Sequence, residues 1–510
     1  MSGLRVLVST DLWSSSALEE KSGYYRPVAS LSLALNRFLA GNSTIAYHAG
    51  NVLLHALNAT MLFRFLSVRK IATGPRAVGV VLLFATLPLV AEPVSWIAGR
   101  YDLLGLFFAL LALEANTHAR RALMAPILFG LAVLSKEPFA VLPVFLFLDD
   151  VLLFRRSALR EAVKYVLLAL ALGGTSVLRA WAHVPQAATV LTQSSVAELA
   201  RAYAFAWDTY GRLAFWPNAL CFFHTYVPPS TIGMTATLTA LSAIVVSAFW
   251  WTRRRPRDEA HAAVLFGVVW CLVAMLPGAL TAPTLRIIGD RYAYFPLVGV
   301  VIALGGLMER TPHGVRGLVV VPLLALVGAQ TVRLESRLSE LKSEDSMFRA
   351  TLARDPDNFT TLTLFGTMLA KNGHYAEAEG TLLHARAVAP TTGDIDTALA
   401  FVHLRQRRYA EAEADGWRAV AGKPQNPRAW VNLASALVDE KRPAAALDAS
   451  AKALALRPGF AEAHFVRALA LLQLGQFDAA HDEVIATLNA DPNHSEARSM
   501  IRRFHGKPAR

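Results

Sequence analysis

Residues 427–460 read PRAWVNLASALVDEKRPAAALDASAKALALRPGF, and this stretch decides the fold of the last third of the chain. Its closing proline, Pro458, recurs at a constant interval, because proline also occupies positions 356, 390, 424 and 492. The interval is 34 residues in every case. A fixed period of this length indicates stacked helix pairs. The sequence therefore predicts an α-solenoid in this part of the chain.

Small residues recur with the same period. They occupy the eighth and twentieth positions of each window, where they let the two helices of a tetratricopeptide repeat approach closely. We predict a linker with half a repeat over 334–358, and a capping helix with a tail over 495–510. The four repeat windows are 359–392, 393–426, 427–460 and 461–494. The small residues are Gly366, Ala400, Ala434 and Ala468, then Ala378, Ala412, Ala446 and Ala480.

The first helix of each pair lines the inner groove of such an array. The side chains predicted to face it are a mixture of apolar, polar and charged groups, which favours a peptide ligand over a single charged one. A purely structural array is the alternative. The predicted acceptor groove consists of Thr367, Phe401, Arg405, Ser435, Asp439, Phe465 and Leu469.

Outward from the repeats, residues 46–333 are dominated by long apolar runs. The whole chain is 54% hydrophobic and only 17% charged, with a mean hydropathy of +0.38. Since a soluble chain is nearer a quarter charged, this composition indicates a polytopic membrane domain. The fold class is thus all-α, a membrane helical domain followed by a solenoid. Ten spans are predicted, at 46–67, 77–93, 99–117, 120–135, 138–154, 161–182, 235–252, 261–281, 292–310 and 316–333.

The loops between these spans fall into two sets by charge. Five alternate loops hold fourteen basic residues, so the positive-inside rule places them in the cytoplasm. Residues 1–45 and the repeats then lie on the other side. Because the formal charge of +12 sits between apolar runs, we expect no nucleic-acid partner. The five loops carry Arg69, Lys70 and Arg76; Arg120 and Arg121; Arg155, Arg156 and Arg160; Arg253, Arg254, Arg255 and Arg257; Arg310 and Arg316.

A second group of charges lies at the opposite span ends. The basic members sit beside acids, with Arg100 near Glu92 and Asp102, and charges clustered at span ends indicate a polar site at the membrane surface. Ordinary interfacial ion pairing is the alternative. We assign Asp149 and Asp150 to the cytoplasmic interface. The other neighbouring pairs are Lys136 with Glu137 and Arg291 with Asp290.

Two further polar features accompany the spans. His48, Asn51 and His55 form a stripe that we expect to hydrogen-bond a neighbouring helix. The loop 183–234 is rich in aromatic residues and predicts a helix lying in the interface. The chain shows neither a Cys/His cluster with zinc spacing nor an acid-rich cation site, so we expect no metal and no cofactor.

Four segments resemble the transmembrane and tetratricopeptide-repeat O-mannosyltransferases, a branch of the GT-C polyprenyl-phosphate-sugar glycosyltransferases. The second segment reads LPLVAEPVSWIAGRYDLL over 87–104. Where that family has histidines, this chain has Leu87 and Val90. The family's acidic pair would lie upstream of Asp11, so we expect a first span and an acidic loop to precede this chain. The other segments are Tyr25-Arg26-Pro27 through Tyr47-His48 to His55, Leu134-Ser135-Lys136-Glu137, and Asp290-Arg291-Tyr292 with Tyr294, Pro296 and Gly299.

The resemblance implies transfer of a sugar from a lipid phosphate to a Ser or Thr hydroxyl, with inversion. A carboxylate takes the hydroxyl proton, and cations stabilise the departing phosphate. We assign catalysis to Asp11, Glu92 and Asp102. The predicted lipid-phosphate-binding residues are Arg100, Lys136 and Arg291, and the predicted site support is Glu137, Asp290, Tyr292, His48 and Arg26.

Three functions remain open at this point. The first is an extracytoplasmic protein O-glycosyltransferase whose repeats present the acceptor polypeptide. The second is a non-catalytic membrane scaffold for envelope assembly, and the third is a GT-C enzyme acting on another envelope glycan. The expected partners are a polyprenyl-phosphate-sugar donor, an acceptor polypeptide and the lipid bilayer. The expected location is a bacterial inner membrane with periplasmic repeats, or an endoplasmic reticulum membrane with luminal repeats.

Overall fold

Apolar periodicity governs the architecture, which is all-α as predicted. The computed structural model describes residues 24–118, 122–157, 159–182, 194–215, 217, 220–254, 258–311, 316–390 and 392–505. The chain divides into two compact units, Met1–Ala350 and Thr351–Arg510. The first holds the apolar helices and the second holds the repeats.

The first unit contains fourteen described helices before the repeat-like helix at its end, together with a two-residue antiparallel ladder of β1 (His224–Thr225) and β2 (Ile287–Ile288). Short 3₁₀ turns over Pro88–Val90, Ile97–Gly99 and Asp290–Ala293 interrupt it near the charged segments. The helices are α1 (Pro27–Ala40), α2 (Thr44–Val68), α3 (Gly74–Thr86), α4 (Ala91–Ser95), α5 (Arg100–Ala115), α6 (Ala125–Ser135), α7 (Leu142–Leu148), α8 (Ala162–Trp181), α9 (Val196–Phe215), α10 (Thr231–Arg254), α11 (Glu259–Ala279), α12 (Ala282–Leu285), α13 (Tyr294–Glu309) and α14 (Arg316–Glu340).

Each of the ten predicted spans coincides with helical structure, but the helices differ in length. Among the described residues, five segments are long and apolar enough to cross a membrane, or six if α3 and the bent segment Pro88–Ser95 count as one. The segments over 99–117, 120–135 and 138–154 are shorter or broken by 3₁₀ and π turns. The membrane character of the unit is therefore clear, whereas the total of ten crossings stays a prediction.

Glycines allow the close crossing of α11 and α13, the two helices that flank the Asp290 turn. A Cβ atom at Gly267 would stand 2.5 Å from the carbonyl oxygen of Gly299, and one at Gly299 would stand 2.7 Å from the Cys271 amide nitrogen. Small residues at such a contact let membrane helices pack backbone to backbone. Trp270 fills the space beside them, stacked on Phe145 at 4.0 Å between ring centroids.

Asp149 and Asp150 are enclosed by protein, and their assignment to the cytoplasmic interface stays a prediction. Both are fully buried in a π turn, Asp149–Leu153. Arg69 donates to both oxygens of Asp149, at 2.8 and 2.9 Å, and Lys164 donates to Asp150. Asn116 bridges the two carboxylates. Both carboxylates can be buried because basic side chains from two other helix ends compensate their charge.

The repeat unit forms from helix pairs that coincide with the predicted windows. Each window supplies two helices, and Asn432 ties one pair to the previous one by donating to the Thr397 carbonyl at 2.9 Å. The helices are α15 (Glu344–Arg354), α16 (Phe359–Lys371), α17 (Tyr375–Val388), α18 (Gly393–Arg405), α19 (Tyr409–Gly422), α20 (Pro427–Asp439), α21 (Pro443–Leu456), α22 (Ala461–Gln473), α23 (Phe477–Ala490) and the terminal α24 (Ser495–His505).

Candidate functional site

The segment 88–100 turns sharply, and this turn buries Glu92. Pro88 and Pro93 break the helical hydrogen bonding, and the axis bends by 54° between α3 and Pro88–Ser95. A Cβ atom at Gly99 would overlap the carbonyl group of Pro93, so only glycine fits this close approach. The Glu92 side chain therefore points into the protein, with 1% of its surface exposed.

Arg291 is the partner of Glu92, although 199 residues separate them in sequence. Its guanidinium donates to one carboxylate oxygen, and its backbone amide donates to the other at 3.1 Å. The rings of Trp96, Phe222, Phe223 and Tyr292 surround the guanidinium, with centroids 5.1 to 5.3 Å from its central carbon. Aromatic faces and a buried acid together hold this cation in one orientation.

Lys136 and Asp102 form a second buried pair. Lys136 ends α6 in an extended conformation and donates to Asp102 on the first turn of α5. Its ammonium nitrogen also lies 5.4 Å from the centroid of the Tyr292 ring, which Arg291 contacts from its own side. The two cations therefore share one aromatic neighbour, and Arg291 also interacts electrostatically with Asp102.

Arg26 and Glu137 form the third pair. Arg26 donates from Nε and Nη2 to Glu137 Oε2 at 3.0 and 2.8 Å, so a residue at the start of α1 is fixed to the turn after α6. The Tyr24 and Tyr101 rings lie beside the guanidinium, at 4.4 and 5.1 Å. Burial raises the pKa of Tyr24, so this phenol keeps its proton as a hydrogen-bond donor. We name Arg26, Glu92, Asp102, Lys136, Glu137 and Arg291 the charge cluster.

Arg100 is brought near this region, but among the described residues it is not paired with an acid, although its sequence neighbours Glu92 and Asp102 were expected to orient it. Its donors reach neutral oxygens: Asn51 Oδ1 at 2.6 Å, Asn36 Oδ1 at 3.1 Å and the Tyr47 carbonyl at 2.8 Å. A helical start at Arg100 directs its side chain toward α1 and α2, away from Glu92. We therefore describe Arg100 as a clamp between helices, and its predicted phosphate contact has no support from these bonds.

The sequence did not single out two residues that hold Asp290. His224 Nε2 lies 2.7 Å from Asp290 Oδ1, and Arg337 donates to Asp290 Oδ2 at 3.2 Å. Asp290 is thus bound from β1 and from α14, and not by its sequence neighbour Arg291. The sequence does hold one indication of a buried role for Arg337, because this residue lies on a helix whose preceding turns are apolar.

The polar stripe of His48, Asn51 and His55 is only partly buried. His55 bonds the Tyr294 hydroxyl at 3.0 Å, and Asn51 donates to the Val94 and Trp96 carbonyls, so the polar stripe does contact neighbouring segments. His48 is exposed on the first turns of α2, where no helix of the described part of the chain covers it, and the buried stripe begins at Asn51. Asp11 lies outside the described residues.

The seven residues predicted to line the acceptor groove all retain exposed surface on the first helices of their repeats. Arg405 and Asp439 are the most exposed of them. Thr367 and Ser435 instead bond the backbone carbonyls of Thr363 and Val431, so their hydroxyl protons are already used. Phe465 lies 4.7 Å from the His494 ring and extends the groove face toward α24.

Chemically, the charge cluster pairs three cations with three acids in a fixed geometry. Its cations keep small exposed fractions, 12% for the Arg291 side chain and 10% for that of Arg26. Each acid is already bonded to a cation, and only Glu137 is substantially exposed, at 30%. The acids orient cations that keep a small exposed surface, so the arrangement is rigid and could accept a further anionic group only at those exposed edges.

Comparisons with known proteins agree with this architecture. A tetratricopeptide-repeat family model matches residues 437–504. The protein O-mannosyl-transferase F38B6.6 of Caenorhabditis elegans is 26% identical over 76% of this chain and 57% of its own length. The protein O-mannosyl-transferase TMTC3 of Mus musculus is 23% identical over 97% of this chain and 60% of its own length. A crystal structure of MamA protein has 22% identity and a TM-score of 0.27, covering 30% of this chain and 85% of that one.

The resemblance to transmembrane and tetratricopeptide-repeat O-mannosyltransferases is thereby confirmed, and so is the all-α fold. The chain is a membrane protein with a repeat array. It spans 57% and 60% of the length of the two relatives named above.

Proposed function

We propose that this protein transfers a hexose, mannose by analogy with its relatives, from a polyprenyl phosphate to Ser or Thr hydroxyls of other proteins. The observation that carries the proposal is the charge cluster. Three ion pairs from distant segments lie beside Tyr24 and Tyr292, and their cations keep small exposed surfaces that would bind an anion beside the apolar helices. A lipid-linked phosphate has both features that such a site matches.

In the proposed reaction the cations act on the leaving group. The bond between the sugar's anomeric carbon and the phosphate oxygen breaks, the acceptor oxygen bonds that carbon from the opposite side, and the polyprenyl phosphate leaves. Arg291, Lys136 and Arg26 would bind the phosphate oxygens as negative charge develops there. Glu92, Asp102 and Glu137 hold those cations in place. The acceptor proton passes to a carboxylate, and Asp11 stays our proposal for it.

The repeat array is proposed to bind the acceptor polypeptide. Its inner helices expose a mixture of Phe401, Arg405, Asp439 and Phe465, which matches an extended peptide with varied side chains. The charge alternation of the loops supports a site and an array on the extracytoplasmic side. We propose a bacterial inner membrane with periplasmic repeats, or an endoplasmic reticulum membrane with luminal repeats as the alternative.

The test is sugar transfer by membranes that contain the full chain, supplied with polyprenyl-phosphate-linked mannose and candidate acceptor proteins. We expect Arg291→Ala and Glu92→Gln each to lower the rate at least about 100-fold, as loss of a transition-state charge contact does. Arg212→Ala is the matched control, since that side chain is 72% exposed and pairs with Asp208 on its own helix. Equal transfer in all variants would overturn the site. Complete inactivity of the wild-type chain, with acceptor binding retained, would favour a membrane scaffold.

A further inference from the structure

Arg337 lies near the end of α14 and is almost completely buried, with 3% of its side chain exposed. Its Nη2 donates to Asp290 Oδ2 at 3.2 Å, and its Nη1 donates to Glu340 Oε2 at 2.8 Å. A buried guanidinium loses its hydration, so it persists only where acids compensate it. Both of its contacts are with acids, and one of them belongs to the turn that carries Arg291.

Asp290 is held on its other side by a different segment. His224 Nε2 lies 2.7 Å from Asp290 Oδ1, and β1 places this histidine directly opposite Ile288 of β2. Tyr210 of α9 donates to the Gly289 carbonyl at 2.7 Å, one residue before. The Asp290 carboxylate therefore joins the end of α14, the β1 strand and the turn that follows β2.

This arrangement fixes the next residue. Arg291 follows Asp290 in a 3₁₀ turn, and both its amide and its guanidinium bond Glu92. Arg337, like Arg291, also lies close enough to Glu92 to favour its charged form. Two buried acids thus alternate with the buried Arg337 and the partly exposed Arg291, and removal of Arg337 would leave Arg291 between two competing carboxylates.

We propose that Arg337 is a positioning residue of the site: by holding Asp290 on α14, it aims Arg291 at Glu92 and leaves one guanidinium edge for the donor phosphate. The inference rests on the proposed function, because it assigns a phosphate donor to Arg291. Arg337 itself is too buried to contact the donor. It acts through Asp290, and α14 is the helix that leads, through α15, into the repeats.

The experiment measures binding of polyprenyl phosphate to the purified full-length protein in detergent, alongside transfer kinetics. We expect Arg337→Met to weaken binding about tenfold and to raise the donor KM more than it lowers kcat, since a misaligned Arg291 guanidinium no longer holds the phosphate in its bound geometry. Arg337→Lys, which keeps the charge, should recover part of the loss. The matched control is Arg349→Met on α15, a side chain 52% exposed whose ion pair with Asp345 lies within its own helix.

A double-mutant cycle separates positioning from general stability. In the Arg291→Met background, Arg337→Met should change polyprenyl phosphate binding less than about twofold, because the guanidinium that Arg337 orients is absent. The charge-neutral pair Arg337→Met with Asp290→Asn leaves no buried unpaired acid, and it should show the same weakened binding in a folded protein. Binding equal to wild type in that double variant, or an undiminished effect in the Arg291→Met background, would overturn the inference. Phosphate binding without any sugar transfer would count against the proposed function alone.

Discussion

At the residue scale, Gly289 is the position where the smallest change should reach the site. A Cβ atom there would stand 2.8 Å from Arg291 Nη1 and 3.1 Å from the Phe222 carbonyl oxygen. The guanidinium can yield, whereas the backbone cannot, so Gly289→Ala should displace Arg291 from Glu92. We expect transfer to fall about tenfold while the melting temperature stays within a few degrees. Kinetics and thermal unfolding in detergent measure both.

The control for that substitution is Gly380→Ala. Gly380 lies in α17 with open space around its Cβ direction, so alanine should only favour the helix. A Gly289→Ala protein that transfers sugar as fast as Gly380→Ala would contradict a fixed role for the Arg291 orientation.

Also at this scale, the sequence predicted which residues meet at the site better than it predicted their partners. Lys136 and Glu137 are neighbours, yet Lys136 is extended at φ −159° and ψ 133°, so the two side chains diverge. Lys136 bonds an acid 34 residues away, and Glu137 bonds Arg26 across 111 residues. Such partners depend on tertiary packing, which the local sequence does not determine. Arg337 and His224 were missed for the same reason.

At the scale of elements, the contact between α11 and α13 should determine the stability of the membrane unit. A methyl group at Gly299 would press on the Gly267 carbonyl and on Cys271, all of them backbone or buried. Gly299→Ala should therefore cost about 1 to 3 kcal/mol through overpacking. The expected result is a lower melting temperature in detergent. Gly130→Ala in α6, with open space at its Cβ, is the control and should melt like wild type.

The repeat helices α18 and α19 carry a pH-sensitive contact. His403 lies 2.6 Å from Asp415 Oδ2 and 3.3 Å from Glu379, and the hydrogen bond to Asp415 raises the pKa of His403 above its usual value of 6.5. The charged imidazolium therefore stabilises the fold fully below about pH 6.5, and this contribution is lost as the pH rises through the raised pKa.

We expect His403→Gln to destabilise these helices by about 1 to 2 kcal/mol at pH 5.5 and by less at pH 8.5, since a hydrogen bond to a charged group is lost. Hydrogen exchange of the amides in 393–422 of the full chain measures the difference. His384→Gln, whose contact with Asp357 is exposed, is the matched control. A destabilisation that does not change with pH would contradict a charged His403.

At the scale of the whole molecule, periodicity and charge alternation were the informative signals, because both average over many residues. The 34-residue period placed every repeat helix pair, and apolar runs placed the membrane helices. Orientation follows from the loop charges and can be tested with introduced cysteines, since the native Cys221 and Cys271 are buried and should react slowly. In sealed vesicles whose outer face is extracytoplasmic, a membrane-impermeant thiol reagent should label Asp439→Cys in the repeats. It should not label Arg155→Cys, which follows the Asp149–Leu153 turn, until the vesicles are opened. Labelling of both positions in intact vesicles, or of Arg155→Cys alone, would contradict the topology. The topology matters for function because it decides whether an acceptor bound by the repeats is on the same side as Arg291.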